Sequence, residues 1–425
     1  MKALALSVVL GLSLLPVAGA AADPLPRAKA EDVGFSSEKL GRIGQTLRAD
    51  VERGRIPGAV VIVARKGRIA YYDTVGFRDK SSGAPMPPDA IFRIASMTKP
   101  LVSVATMMLY AEGRLFLSDH VSKYIPELAN RQVGVEKLDP ATNKTVFYTV
   151  PAESEMTIQD LLRHTSGFTY GNRGTTQVHK LFESGTSGLA RERTPQEFID
   201  RLAKLPLLNQ PGTTWEYGVS TDVLGRVVEV VAGKPLGQVL AERIFRPLKM
   251  TDTGFVVAED RKARLAQALP TDPDTGKEIK LFDPTIAPKF ECGGGCGVST
   301  ASDYARFTQM LLNRGTLDGT RILSRKTVEF MTSDHLGTRI APGPAYSPGP
   351  GYGFGLGFAV RKGGRLDDRL GRRLQLGRRL RHRLLGRSQG GAGRRLHGAS
   401  PGPDPGALPP ALEEPGPSGA RVSRL

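Results

Sequence analysis

Hydrophobic and polar positions change their rhythm along the chain, and those changes mark its elements. After an apolar run over residues 3–17, positions Leu40, Ile43, Leu47 and Val51 recur at helical spacing behind Ser36 and Ser37. Serine is a favoured helix cap, so an amphipathic helix is predicted to start there. Residues 58–72 then form two apolar, β-branched runs around Arg65-Lys66-Gly67, the pattern of a β-hairpin. Residues 98–109 are apolar on nearly every side, which predicts a helix buried all round. Helical spacing returns at 194–205, 221–231 and 302–312, and Gly167 is placed to cap a short helix over 161–167. Residues 351–360 alternate glycine with apolar residues, read as one strand closely approached by another part of the chain. Strands thus bracket a helical middle of roughly 119–290, predicting an α+β fold with an antiparallel sheet, flanking helices and a helical lobe.

Composition adjusts this picture at both ends. Met1-Lys2, the apolar run and the small residues at 18–22 read as a secretory signal peptide over 1–22, placing the mature protein in a periplasmic or secreted location. No later run is long enough to span a bilayer, so no stable membrane anchor is expected. The formal charge of +17 looks at first like an affinity for nucleic acid. Residues 361–425, however, carry 15 of the 59 basic and 5 of the 42 acidic side chains, which is +10 of the total. The basicity belongs to a tail, and no nucleic-acid partner is expected. The two cysteines, Cys292 and Cys296, flank three glycines and are equally compatible with a small-loop disulfide or two free thiols. Two cysteines without nearby histidines do not complete a zinc site, and no metal or other cofactor is expected.

Candidate chemistry sits at the start of the apolar helix. In Ser96-Met97-Thr98-Lys99 a serine and a lysine lie three residues apart, so both side chains share a helix face. A serine becomes a nucleophile when a neighbouring base takes its proton, and burial is expected to depress the Lys99 pKa enough for that role. The pattern is short, and about one chance occurrence is expected in a chain of this length. Ser36-Ser37-Glu38-Lys39 supplies it, on a polar helix where serine serves as a cap. His164 reads as structural, at a helix C-terminus where its charge would favour the dipole.

Taken together, Ser96–Pro100, Leu161–Gly167, Pro211–Gly225 and Cys292–Phe307 resemble the class C β-lactamase-related serine hydrolases, a group of β-lactamases, family VIII carboxylesterases, D-amino-acid peptidases and acyltransferases. The resemblance implies a serine β-lactamase or penicillin-binding-protein-like domain over 32–362, with Ser96 acylated and Lys99 deprotonating it. Tyr217 falls at the second motif and would act as general base and then acid. Val219 stands where β-lactamases carry an asparagine, which tilts the expectation towards small acyl esters. The alternatives are a β-lactamase or D-alanyl carboxypeptidase, or an inactive or non-catalytic penicillin-recognising member. The implied partner is a small ester or amide substrate, with the oligomeric state left open.

The family's third motif, variously Lys-Thr-Gly, His-x-Gly or Trp-Gly-Gly, is missing along with its strand, two further strands and the C-terminal helix. That strand contributes an oxyanion-hole N–H. After Phe358 no aromatic residue recurs, and residues 363–425 read as a disordered basic tail. Codons can be chosen for residues 373–404 that spell Trp-Gly-Gly and two strand-like runs when read one nucleotide later, which points to a frameshift near 361–372. The chain as written is therefore expected to fold poorly and turn over little substrate.

Overall fold

The computed structural model describes residues 25–183, 189–362 and 374–375. The signal peptide and nearly all of the basic tail, including the proposed frameshift, lie outside the described residues.

Its first helix, Ser37–Glu52, begins where the serines predicted. The Ser36 side chain caps it, accepting the Lys39 N–H at 3.3 Å. Ser36-x-x-Lys39 is thus a helix start and nothing more. Strands Gly58–Arg65 and Arg68–Asp79 pair antiparallel through a tight turn at Lys66 and Gly67, with φ of 53° and 74°. Two consecutive positive φ values suit the right-handed twist of a hairpin, and glycine takes the second without strain. Ala84–Pro85 adds a third short strand.

Helix Thr98–Ala111 runs through the centre of the largest core. Leu101, Val102, Val104, Met107 and Leu109 are all 1 % exposed or less, each contributing roughly 1.5–3 kcal/mol through burial. It packs on helix Ser220–Ala232 and on the segment Leu236–Phe245. Ile91–Arg93 leads into this helix and pairs antiparallel with Val298–Thr300, Phe92 opposite Ser299. Chain segments some 200 residues apart are thereby clamped together just before Ser96.

Three local expectations are revised. The region after residue 119 carries, beside its helices and loops, a long antiparallel hairpin, Gln132–Asp139 with Lys144–Pro151. Its β-branched and aromatic run, Thr145 to Val150, favours extended backbone over helix. The helix expected to close at Gly167 instead covers Ile158–Arg163, because His164 adopts the left-handed cap conformation at φ 61°. Gly167, at φ 87°, turns the chain three residues later. Residues 351–360 form two short strands, Tyr352–Phe354 and Ala359–Arg361, rather than one. The reversal passes through Gly357 at φ 96°, where a Cβ would lie 2.2 Å from the Ser103 hydroxyl of the central helix. The close approach foreseen from the glycines is present, and it forces a turn. Leu374–Gln375 is extended and antiparallel to this second strand.

Candidate active site

Ser96 lies in a single 3-10 turn, Ala95–Met97, that runs directly into the central helix. Ala95 before it has φ +44°, a backbone conformation that a non-glycine residue adopts at a cost of about 1–3 kcal/mol. The turn is held from several sides. Tyr304 donates its hydroxyl to the Met97 carbonyl at 2.9 Å, and the Thr98 hydroxyl donates to the Ala95 carbonyl at 2.7 Å. The Gly297 N–H donates to Thr98 Oγ1 at 3.0 Å, and the Gly297 carbonyl accepts from the Ile94 N–H at 2.9 Å. Burial pushes the Tyr304 phenol far up, so it stays a neutral donor.

Lys99, one turn on, is 5 % exposed. Its Nζ donates to the Gly294 carbonyl at 2.5 Å and to the Tyr170 hydroxyl at 3.5 Å. It also lies 4.7 Å from the centre of the Tyr217 ring. These neighbours reverse the sequence expectation for its charge. Burial disfavours the ammonium, but Tyr170, Tyr217 and Asp222 outweigh it and hold the pKa above that of a free lysine. These neighbours favour the ammonium form of Lys99.

Tyr217 is one of these neighbours. The Leu161–Tyr170 segment forms a shelf beneath it. The Glu216 N–H donates to the His164 carbonyl at 2.9 Å, and the Ser166 and Ser220 hydroxyls are 2.9 Å apart. Gly218 lies so close to Thr169 that a Cβ would approach its Cα to 2.6 Å. The Tyr217 ring stacks on Trp215 at 6.2 Å and meets Tyr170 edge-on at 5.7 Å. Arg173 stands 5.6 Å from the ring centre and is paired with Glu216 at 3.3 Å. Two cations therefore flank one phenol.

His164 packs 4.9 Å from the Tyr217 ring and is buried. Burial, with Lys99 and Arg173, drives its pKa well down, so it is neutral and the dipole argument from the sequence does not apply. Tyr170 and Arg173 were not singled out from the sequence. A tyrosine 71 residues from its lysine partner carries no local signal.

Cys292 and Cys296 are joined in a disulfide with Cα atoms 5.4 Å apart, deciding between the two alternatives left open. It closes the glycine loop whose central residue, Gly294, holds Lys99. A loop this short contributes about 2 kcal/mol through chain entropy. The double variant C292A/C296A is expected to lower the thermal midpoint by only a few degrees while slowing covalent labelling of Ser96 at least about tenfold, because the Lys99 acceptor loses its brace. Calorimetry and labelling kinetics on the same sample check this.

Lys99 and Tyr217, far apart in sequence, come together with the Lys99 nitrogen 4.7 Å from the Tyr217 ring centre, and Ser96 lies in the turn that leads into the Lys99 helix. The family model described as Beta-lactamase matches residues 43–386. The chain belongs to this family. Protein Rv1367c of Mycobacterium tuberculosis (strain ATCC 25618 / H37Rv) is 38 % identical over 293 residues, 68 % of this chain and 71 % of the relative. Esterase EstB of Burkholderia gladioli is 35 % identical over 279 residues, covering 65 % and 64 % of the two chains. Among solved structures, EstCE1, a hydrolase with promiscuous acyltransferase activity, superposes with a TM-score of 0.62 at 29 % identity, over 77 % of this chain and 84 % of that one. The fold class and serine-hydrolase membership expected from the motifs hold. Among the described residues no group of three or more His, Cys, Asp or Glu side chains could hold a metal ion, and no helix is long and apolar enough to cross a membrane.

Proposed function

We propose that this chain is an exported serine hydrolase that forms an acyl-enzyme at Ser96 and acts on small acyl esters. The observation that supports it most is the buried Lys99 ammonium, one turn beyond Ser96 and 4.7 Å from the Tyr217 ring. A cation beside a phenol favours its ionised form. Tyr217 then takes the Ser96 proton as Oγ attacks the ester carbonyl, and returns it to the leaving alcohol when the tetrahedral intermediate collapses. The serine ester left behind is resolved by water, or by an acceptor alcohol, through the same proton transfers in reverse. Lys99 keeps its proton and steadies the charge on Tyr217. Esters are favoured over β-lactams by Val219, an apolar group 6 % exposed where an amide would be needed, and by the esterase among the relatives.

The test compares p-nitrophenyl butyrate with the chromogenic cephalosporin nitrocefin on the full-length chain, with mass spectrometry of the Ser96 peptide. The expected result is a butyryl mass on Ser96 and negligible nitrocefin opening. Nitrocefin opening without ester cleavage would reassign the chain to the β-lactamase branch. Modification of neither kind would mark it as a non-catalytic member.

A further inference from the structure

One buried charge has no part in the steps above. Asp222, in the first turn of helix Ser220–Ala232, is 0 % exposed. Its Oδ1 accepts the Gly294 N–H at 2.8 Å, and its Oδ2, also buried, has no hydrogen-bond partner. An isolated buried carboxylate is costly unless a cation accompanies it. The cation here is Lys99, which donates to the carbonyl of the same Gly294 whose N–H faces Asp222.

We propose that Asp222 is a positioning residue which, through the backbone of Gly294, holds the Lys99 ammonium in place and supplies its counter-charge. This rests on the reading of Ser96, Lys99 and Tyr217 given above. Three further observations carry it. The approach of Gly294 to Asp222 excludes any side chain, since a Cβ there would stand 2.1 Å from the carboxylate. Its neighbour Gly293 is held as tightly, a Cβ there lying 2.8 Å from the Thr221 carbonyl. The two ionisable groups also move each other in the sense of a charge pair. Asp222 raises the Lys99 pKa, and Lys99 pulls the Asp222 pKa back from the rise that burial imposes, leaving it at about 6. A helix-capping role alone would explain neither the glycine requirement nor the bare Oδ2.

The remaining groups around Lys99 are Tyr170 and Tyr217, with His164 and Arg173 behind the Tyr217 ring. Tyr170 and Tyr217 also favour the Lys99 ammonium, and Glu216 is paired with Arg173, which leaves Asp222 as the carboxylate that faces Lys99 through Gly294. D222N keeps the Oδ1 acceptor and removes the charge.

The experiment follows covalent labelling of Ser96 by a fluorophosphonate in the full-length wild type and in D222N, from about pH 6 to about pH 12. D222N is expected to unfold cooperatively like the wild type and to label about tenfold more slowly at neutral pH. Its alkaline limb should lie about one pH unit lower, because Lys99 surrenders its proton more easily without a counter-charge. Should D222N not fold, G294A serves instead. It keeps the carboxylate, displaces the loop from it, and is expected to move the limb in the same direction. A folded D222N or G294A whose pH profile coincides with that of the wild type overturns the proposal and leaves Asp222 a purely structural residue. A wild type that is not labelled at Ser96 overturns the catalytic reading, and the present one with it. A labelled wild type with an unshifted variant overturns the present one alone.

Discussion

Replacing Ser96 with alanine is expected to abolish covalent capture of a fluorophosphonate by the full-length chain, a loss of at least about three orders of magnitude in labelling rate. Loss of the nucleophile in enzymes whose catalytic residues act as a unit removes nearly all of the rate advantage. The change should leave the fold alone. Ser96 is half-buried in a turn fixed through its neighbours, by Tyr304 on Met97 and by Gly297 on Thr98 and Ile94. The substitution therefore removes one hydroxyl from a scaffold that does not depend on it, and the thermal midpoint should stay within about 1–2 °C. The informative control is S36A. That serine belongs to the other Ser-x-x-Lys run, at the start of an exposed helix, and its loss should leave labelling unchanged. Phosphonate capture is the right readout for this polypeptide. It reports the nucleophile and its proton acceptor without requiring the covalent adduct to be resolved. Labelling in S96A, or an equal loss in S36A, would place the nucleophile elsewhere.

How much of this was legible beforehand depended on the range of the interactions concerned. The Ser36 cap, the 58–79 hairpin and the helix behind Ser96 rest on neighbours within a few residues, and the hydrophobic pattern states them directly. The charge on Lys99 does not follow from local pattern. An apolar helix implies burial, and burial alone argues for a neutral amine. The opposite outcome is imposed by Tyr170, Tyr217 and Asp222, none of which lies near Lys99 in the chain. The Cys-Gly-Gly-Gly-Cys run was equally mute. Each glycine reads as turn propensity until Gly294 is seen wedged between Asp222 and Lys99, and Gly297 against Thr98. The hairpin at 132–151 was missed for a different reason. Many of its apolar side chains are exposed, Val146 at 47 % and Tyr148 at 43 %, so no in-and-out alternation marks it.

The charge on Lys99 leads to the second large effect. Y217F is expected to slow labelling of Ser96 by about 10²–10⁴-fold, the usual contribution of a positioned general base, while Y170F slows it by about tenfold or less. Both tyrosines lie against the same ammonium, so proximity to Lys99 does not separate them. Their other neighbours do. Tyr170 is 2 % exposed, too buried for substrate to reach, and meets Lys99 at a long 3.5 Å. Tyr217 is half-buried and lies between Lys99 at 4.7 Å and Arg173 at 5.6 Å, so two positive charges favour its ionised form and substrate can still reach it. Phenylalanine retains the ring that stacks on Trp215 and packs on His164, which confines the change to the hydroxyl. Removing that hydroxyl should cost about 1 kcal/mol of stability, too little to unfold the domain. The comparison is decisive in either direction. A large loss in Y217F with a small one in Y170F assigns the proton transfer to Tyr217. The reverse pattern assigns it to Tyr170, and Tyr217 would then serve to hold Lys99 and Arg173 apart.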